Sequence, residues 1–225
     1  MPSKKTRTQP FAVTDCAMLS IATGVSAQNL RELRERLQTI QPGCIYYHFW
    51  GHHLRPGFEE PEYNNDFANW ANQGLHDRNL AERLSVIDPP SYTDLDALRE
   101  ELIDVIEERL DETEQVPWAK SENAFRFIRS TLIVFDTGIR LRTPEEMAEF
   151  LPQISPSSLY YHFFDARRRT PDKVDDFRAW LDGLGPRYAS LSAIIAGYDP
   201  SFITLTALKT ELVATFSQFR QGGSS

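Results

Sequence analysis

Apolar positions in this chain follow helical and strand periods in turn, and the succession occurs twice. Leu30, Leu33, Leu37 and Ile40 have the three-to-four spacing of a helix with one buried stripe, and Asn29 stands at its start as a cap. The counterpart opens on Thr143 as N-cap, Pro144 at the first helical position and Glu146 completing a capping box. Ahead of it, the β-rich runs Thr131-Leu132-Ile133-Val134-Phe135 and Ile139-Arg140-Leu141-Arg142 flank Asp136-Thr137-Gly138, which predicts a hairpin. The first copy keeps Thr23-Gly24 at the matching place, although Ala17-Met18-Leu19-Ser20-Ile21-Ala22 reads less clearly as strand.

The aromatic runs Ile45-Tyr46-Tyr47-His48-Phe49-Trp50 and Leu159-Tyr160-Tyr161-His162-Phe163-Phe164 come next. Unbroken bulk of this kind suits a buried helix, and period alone leaves a buried strand open. Phe67 with Trp70, and Phe177 with Trp180, have the i, i+3 spacing that puts each pair on one helix face. Asp66 and Asp176 are placed to cap those helices. A short helix (80–84, 191–195), an Asp-Pro turn at Asp88-Pro89 and Asp199-Pro200, and a long helix (95–110, 205–219) complete each copy.

The two aromatic runs are offset by 114 residues, the Asp-Phe-x-x-Trp pairs by 110 and the Asp-Pro turns by 111. The pattern predicts a mostly α (α+β) protein: tandem duplicated helical modules of about 100 residues, a size that suits one small domain. Each carries a small β-hairpin, and the two pack about a pseudo-two-fold axis. The expected organisation is a disordered leader over 1–9, a first module over 10–110, a linker over 111–123, a second module over 124–220 and a flexible tail over 221–225.

Composition narrows this picture further. No apolar run approaches the roughly 18 residues of a membrane span, so no membrane is expected as partner. The net charge is −8 and the basic residues are scattered apart from Arg167-Arg168-Arg169 and the leader, which argues against nucleic acid. Cys16 and Cys44 lie only in the first copy, facing Ser130 and Ser158 in the second, so they read as two reduced buried thiols of a cytoplasmic protein. The acidic excess gathers at Asp104, Glu107, Glu108, Asp111 and Glu112, a solvated helix face or a docking surface for a basic partner.

His48 and His162 are the histidines present in both copies, and each stands in an aromatic run. Half-buried packing is the plainer reading of such a residue; ligand binding or proton handling, with Asp66 and Asp176 as partners, is the sharper one. His48 and His52 have the i, i+4 spacing that lets two rings reach one metal ion, with Glu59, Glu60 and Glu62 as oxygen donors nearby. The second copy has Ala166 and Arg167 opposite His52 and His53, which counts against metal as a shared feature. Tyr46, Tyr47, Trp70, Tyr160, Tyr161 and Trp180 complete the candidate ligand-binding set. The chain has no G-x-G-x-x-G, Walker A, G-x-S-x-G, H-E-x-x-H or C-x-x-C motif, so no catalytic residue and no cofactor is assigned. The loop 59–64 is present at this length only in the first copy, as a specificity loop or a tolerated insertion.

Taken together, the Thr-Gly opening, the Tyr-Tyr-His runs and Asn65-Asp66-Phe67-x-x-Trp70 resemble domain-of-unknown-function family 5752, a prokaryotic family with two such halves. The resemblance extends from about Phe11 to Phe219 and implies an intracellular, mostly helical protein; it implies no activity. One departure is Phe49-Trp50-Gly51, which stands where family members carry a polar, His-containing stretch. The resulting expectation is a non-enzymatic binding or regulatory module that recognises a protein partner or small polar ligand at the inter-repeat groove. The alternative is an enzyme or ligand sensor centred on His48 and His162 with Asp66 and Asp176, with or without metal. The oligomeric state is left open.

Overall fold

A computed structural model describes residues 9–55, 62–112, 120–170, 172–200 and 203–222. The chain is mostly helical, with a two-stranded antiparallel sheet. The strands are β1 (Phe11–Ala27) and β2 (Phe125–Leu141).

The expected hairpins do not form. Each strand runs straight through its Thr-Gly pair and takes its partner from the other half of the sequence. Gly24 and Gly138 have φ of +76° and +78°, a left-handed backbone that favours glycine, but they serve as irregularities inside a strand. The neighbouring threonines fasten the strands there. Thr23 Oγ1 donates to the Phe127 carbonyl at 2.7 Å, and Thr137 Oγ1 donates to the Val13 carbonyl at 2.6 Å. A hairpin at residues 136–138 could pair only its two short flanks, whereas a partner strand of 17 residues satisfies the backbone on both sides of the glycine.

Two compact units result, and they differ from the contiguous modules 10–110 and 124–220 that the repeat suggests. A continuous unit holds residues 18–133, and a split unit joins residues 1–17 to 134–225. The start of β1 therefore belongs with helices of the second half of the sequence, and the start of β2 with helices of the first. The physical reason is that a strand's own flanks do not specify its partner; the apolar surface that covers it does.

The continuous unit contains α1 (Leu30–Leu37), α2 (Pro42–Trp50), a 3-10 turn at Gly51–Leu54, α3 (Asp66–Gln73), α4 (Arg78–Ser85) and α5 (Leu95–Glu112). Asn29 caps α1 by accepting from the Glu32 amide, as the sequence predicts. Residues 44–50 of α2 are all buried, so this aromatic run is a helix buried on every side. Leu33 of α1, Ile45 of α2, Phe67 of α3, Leu84 of α4 and Leu102 of α5 are among its buried core residues.

The split unit contains α6 (Pro144–Phe150), α7 (Pro156–Tyr160), a π-helical turn at Tyr161–Asp165, α8 (Ala166–Arg169), α9 (Asp176–Leu184), α10 (Ala189–Ala196) and α11 (Leu205–Gly222). Thr143 caps α6 through the Glu146 amide, and Glu146 reaches back to the Arg142 amide. Met147, Leu159, Phe177, Leu181, Leu208 and Phe216 are buried in its core. No described helix is long and apolar enough to cross a membrane.

Candidate functional site

His48 projects from α2 into the core of the continuous unit and is 3% exposed. Its Nε2 accepts the Ile128 backbone N–H of β2 at 3.1 Å. An amide nitrogen can only donate, so Nε2 carries the lone pair and the ring proton resides on Nδ1. That proton is donated to Asp66 Oδ2 at 2.8 Å, and Asp66 Oδ1 accepts from Arg55 Nη2 at 2.6 Å. The Arg55 guanidinium lies 5.0 Å from the Tyr47 ring centroid, within cation–π range. The imidazole packs against Phe125 at 4.6 Å and Phe67 at 5.4 Å between centroids. Burial lowers the His48 pKa against the opposing hydrogen bond and charge of Asp66. For Asp66 burial works upward, but the hydrogen bonds from His48 and Arg55 outweigh it and hold the carboxyl below its ordinary range.

The split unit contains the same arrangement. His162 Nε2 accepts the Thr14 N–H of β1 at 2.9 Å, and Nδ1 donates to Asp176 Oδ2 at 2.7 Å. Arg169 Nη2 donates to Asp176 at 3.0 Å and to the Tyr161 carbonyl at 3.0 Å, with its guanidinium 3.9 Å from the Tyr161 ring centroid. Phe11 of β1 lies 4.7 Å from the His162 ring and stacks on Phe177 at 5.3 Å. Each unit's histidine thus holds a strand that begins the other half of the sequence.

The predicted residues divide between the units. Tyr46, Tyr47, His48, Asp66 and Trp70 belong to the continuous unit, and Tyr160, Tyr161, His162, Asp176 and Trp180 to the split one. Tyr46 stacks on Trp50 at 5.1 Å, and Tyr160 on Phe164 at 6.0 Å between centroids. Trp70 Nε1 donates to the Asn123 carbonyl at 2.7 Å, whereas the buried Trp180 Nε1 has no partner among the described residues.

Asp66 and Asp176 are not the helix caps. Asn65 caps α3 by accepting from the Ala68 amide, and Asp175 caps α9 by accepting from the Arg178 amide. Each aspartate sits one residue inside its helix, which frees its carboxylate for the histidine. Sequence reasoning missed Arg55 and Arg169, although His-x6-Arg recurs at the 114-residue offset and could have revealed them. Replacing Arg55 by lysine keeps a charge but loses the planar fork that spans Asp66 and Tyr47; a loss of about 1 kcal/mol is expected in urea titrations. The equivalent Arg169→Lys should act on the split unit to a similar degree, and an effect confined to one unit would contradict the equivalence.

The proposed metal pair does not come together as a chelate. Both ring nitrogens of His48 are engaged, and the described residues contain no cluster of three or more metal-ligating side chains. His52 lies with its ring 3.9 Å from that of His53, and burial pushes the His52 pKa down to about 4 and that of His53 well below its ordinary value. Glu62 accepts from Asn72 at 2.8 Å, while Glu59, Glu60 and the rest of 56–61 lie outside the described residues, as does most of the 111–123 linker. Cys16 and Cys44 are buried free thiols. Cys16 Sγ donates to the Ser157 carbonyl at 3.2 Å, and burial pushes its pKa up to about 12, far from the thiolate a nucleophile needs. Ser130 occupies the equivalent position and bonds the Gly43 carbonyl at 3.4 Å.

Chemically, the two clusters are neutral imidazoles fixed in one tautomer, each held by a carboxylate and each holding a backbone amide. The structure of OrfY from Thermoproteus tenax is similar to this chain, with a TM-score of 0.75 and 28% sequence identity, covering 94% of this chain and 96% of that one. A comparison with curated proteins finds no match. Residues 8–217 match the family of unknown function DUF5752. With the match running over nearly the whole chain, the protein belongs to that family.

Proposed function

We propose that this protein is a non-enzymatic binding module, built by tandem duplication, that recognises a basic segment of a partner protein. The observation that carries the reading is an unpaired acidic ridge on α5. Glu100, Asp104, Glu108 and Asp111 are exposed at spacings of four, four and three residues, and among the described residues none makes an ion pair. Neighbouring carboxylates are matched: Glu107 with Arg34 at 3.2 Å, Asp77 with Arg109 at 2.8 Å, and Glu112 with Arg83 at 2.6 Å. The ridge covers ~16 Å of helix.

Comparison with α11 argues that the fold does not require these charges. Leu98 and Leu102 of α5 correspond to Leu208 and Leu212 of α11, all buried. The ridge positions correspond to Thr210, Ala214, Gln218 and Gln221, all uncharged. Like charges at i, i+4 cost a helix about 0.2–0.5 kcal/mol per pair, so a face carrying several is a net strain on α5 alone. A cationic partner would relieve it. This reading assigns recognition to α5 rather than to a groove between repeats, because the ridge belongs to one unit. The duplication is supported by contacts that recur at a fixed offset: Thr14 with His162, and Ile128 with His48. A cytoplasmic setting fits the two free buried thiols. The alternative, an enzyme or sensor centred on the histidines, is disfavoured because both nitrogens of each ring are engaged.

The test uses a labelled lysine- and arginine-rich peptide and fluorescence anisotropy. Binding to the wild type should weaken steadily with salt, since screening acts over about 8–10 Å. The variant Glu100→Gln, Asp104→Asn, Glu108→Gln, Asp111→Asn should lose most of the affinity while its thermal midpoint is unchanged or higher. Equal affinity in the variant would rule the ridge out.

A further inference from the structure

We infer that protonation of His48 releases the start of β2 from the continuous unit, making the strand's attachment an acid-sensitive latch. The geometry is specific: Nε2 points at the Ile128 amide at 3.1 Å and bonds it only as an acceptor. A proton added there sets two donors face to face. The ring cannot turn to avoid this without breaking its Nδ1 bond to Asp66 at 2.8 Å and its packing against Phe125 and Phe67.

The groups facing the ring decide how readily it charges. From α2 itself comes Tyr47, edge-on at 5.1 Å, and from α3 come Asp66 and Phe67. The segment after α2 brings Arg55, whose positive charge opposes the imidazolium. From β2 come Phe125 and Phe127, which offer no acceptor. Asp66 alone favours the charged ring, and it is already shared with Arg55. Burial therefore prevails and lowers the pKa of the docked histidine. The sign follows: the released state takes up the proton more readily, so docking is complete above the ordinary histidine pKa of about 6.5 and is lost as pH falls through the docked value.

The experiment is amide exchange at Ile128, read by NMR in the full chain from about pH 7.5 to pH 4.5 across the histidine range and corrected for intrinsic rates. Protection should fall by about tenfold per pH unit for each proton taken up. His48→Gln keeps a neutral acceptor near the Nε2 position and should retain protection at Ile128 over that range. Should the glutamine variant not fold, the nitrogen shifts of wild-type His48 give the second reading, because the Nδ1–H tautomer must disappear at the pH where Ile128 loses protection. The latch is overturned by flat protection in the wild type, by an unchanged midpoint in His48→Gln, or by histidine protonation that leaves Ile128 protected.

Discussion

Removing residues 1–17 is expected to unfold the unit built from residues 134–225 and to leave the unit built from residues 18–133 folded. The deleted strand carries Phe11, which stacks on Phe177 at 5.3 Å and meets Trp180 at 5.5 Å, and Val13, which is 1% exposed. It also carries the Thr14 N–H bonded to His162, the Thr14 carbonyl that accepts from Ser158 at 2.8 Å, and the Val13 carbonyl that accepts from Thr137 at 2.6 Å. Loss of a buried phenylalanine side chain alone costs about 3–5 kcal/mol. Adding the valine and the orphaned polar groups brings the total near the 5–15 kcal/mol that is all the stability a typical domain has. Hydrogen exchange followed by mass spectrometry should show protection lost across α6 to α11 and kept across α1 to α5. Two sequence-contiguous modules would respond the other way round, with damage in the half next to the cut.

His48→Ala should destabilise the continuous unit by about 3–5 kcal/mol, more than an average core truncation of its size. Three losses coincide. A ring packed against Phe125, Phe67 and Phe127 disappears, the Ile128 amide is left buried without its acceptor, and the Asp66 carboxylate loses one of its donors. An unsatisfied buried donor accounts for about 1–3 kcal/mol of this. His162→Ala should have an equal effect on the split unit through Thr14 and Asp176. Urea denaturation with a probe in each unit would separate the two responses. A loss below about 1 kcal/mol would mean that the histidines fill space but do not hold the strands.

Some of the local structure is legible because its causes are local. Asn29 and Thr143 cap the helices assigned to them, since a cap needs only its own side chain and an amide three residues on. The stripe Leu30, Leu33, Leu37 faces the core as its spacing requires. Short-range choices between neighbours are less secure. Asn65 or Asp66 can each cap α3, and the decision rests with His48, 18 residues away, which claims the carboxylate. For Arg55 the recurring His-x6-Arg spacing marks the position, but the Asp66 and Tyr47 that it meets are apparent only in the fold.

By itself, then, the sequence determined the amphipathic helices with their buried faces, the caps at Asn29 and Thr143, and the recurrence of Tyr-Tyr-His with an aspartate 18 and 14 residues on. Only the tertiary structure decided that residues 125–141 form one long strand and no hairpin, and that each histidine serves the strand of the opposite half. The division has a physical cause. Helical hydrogen bonds and capping are satisfied within a few residues, so side-chain order along the chain specifies them. A strand's amides and carbonyls must find partners at any distance: here each strand pairs with the other, and one imidazole, 148 residues from Thr14 or 80 from Ile128, accepts an amide near its start.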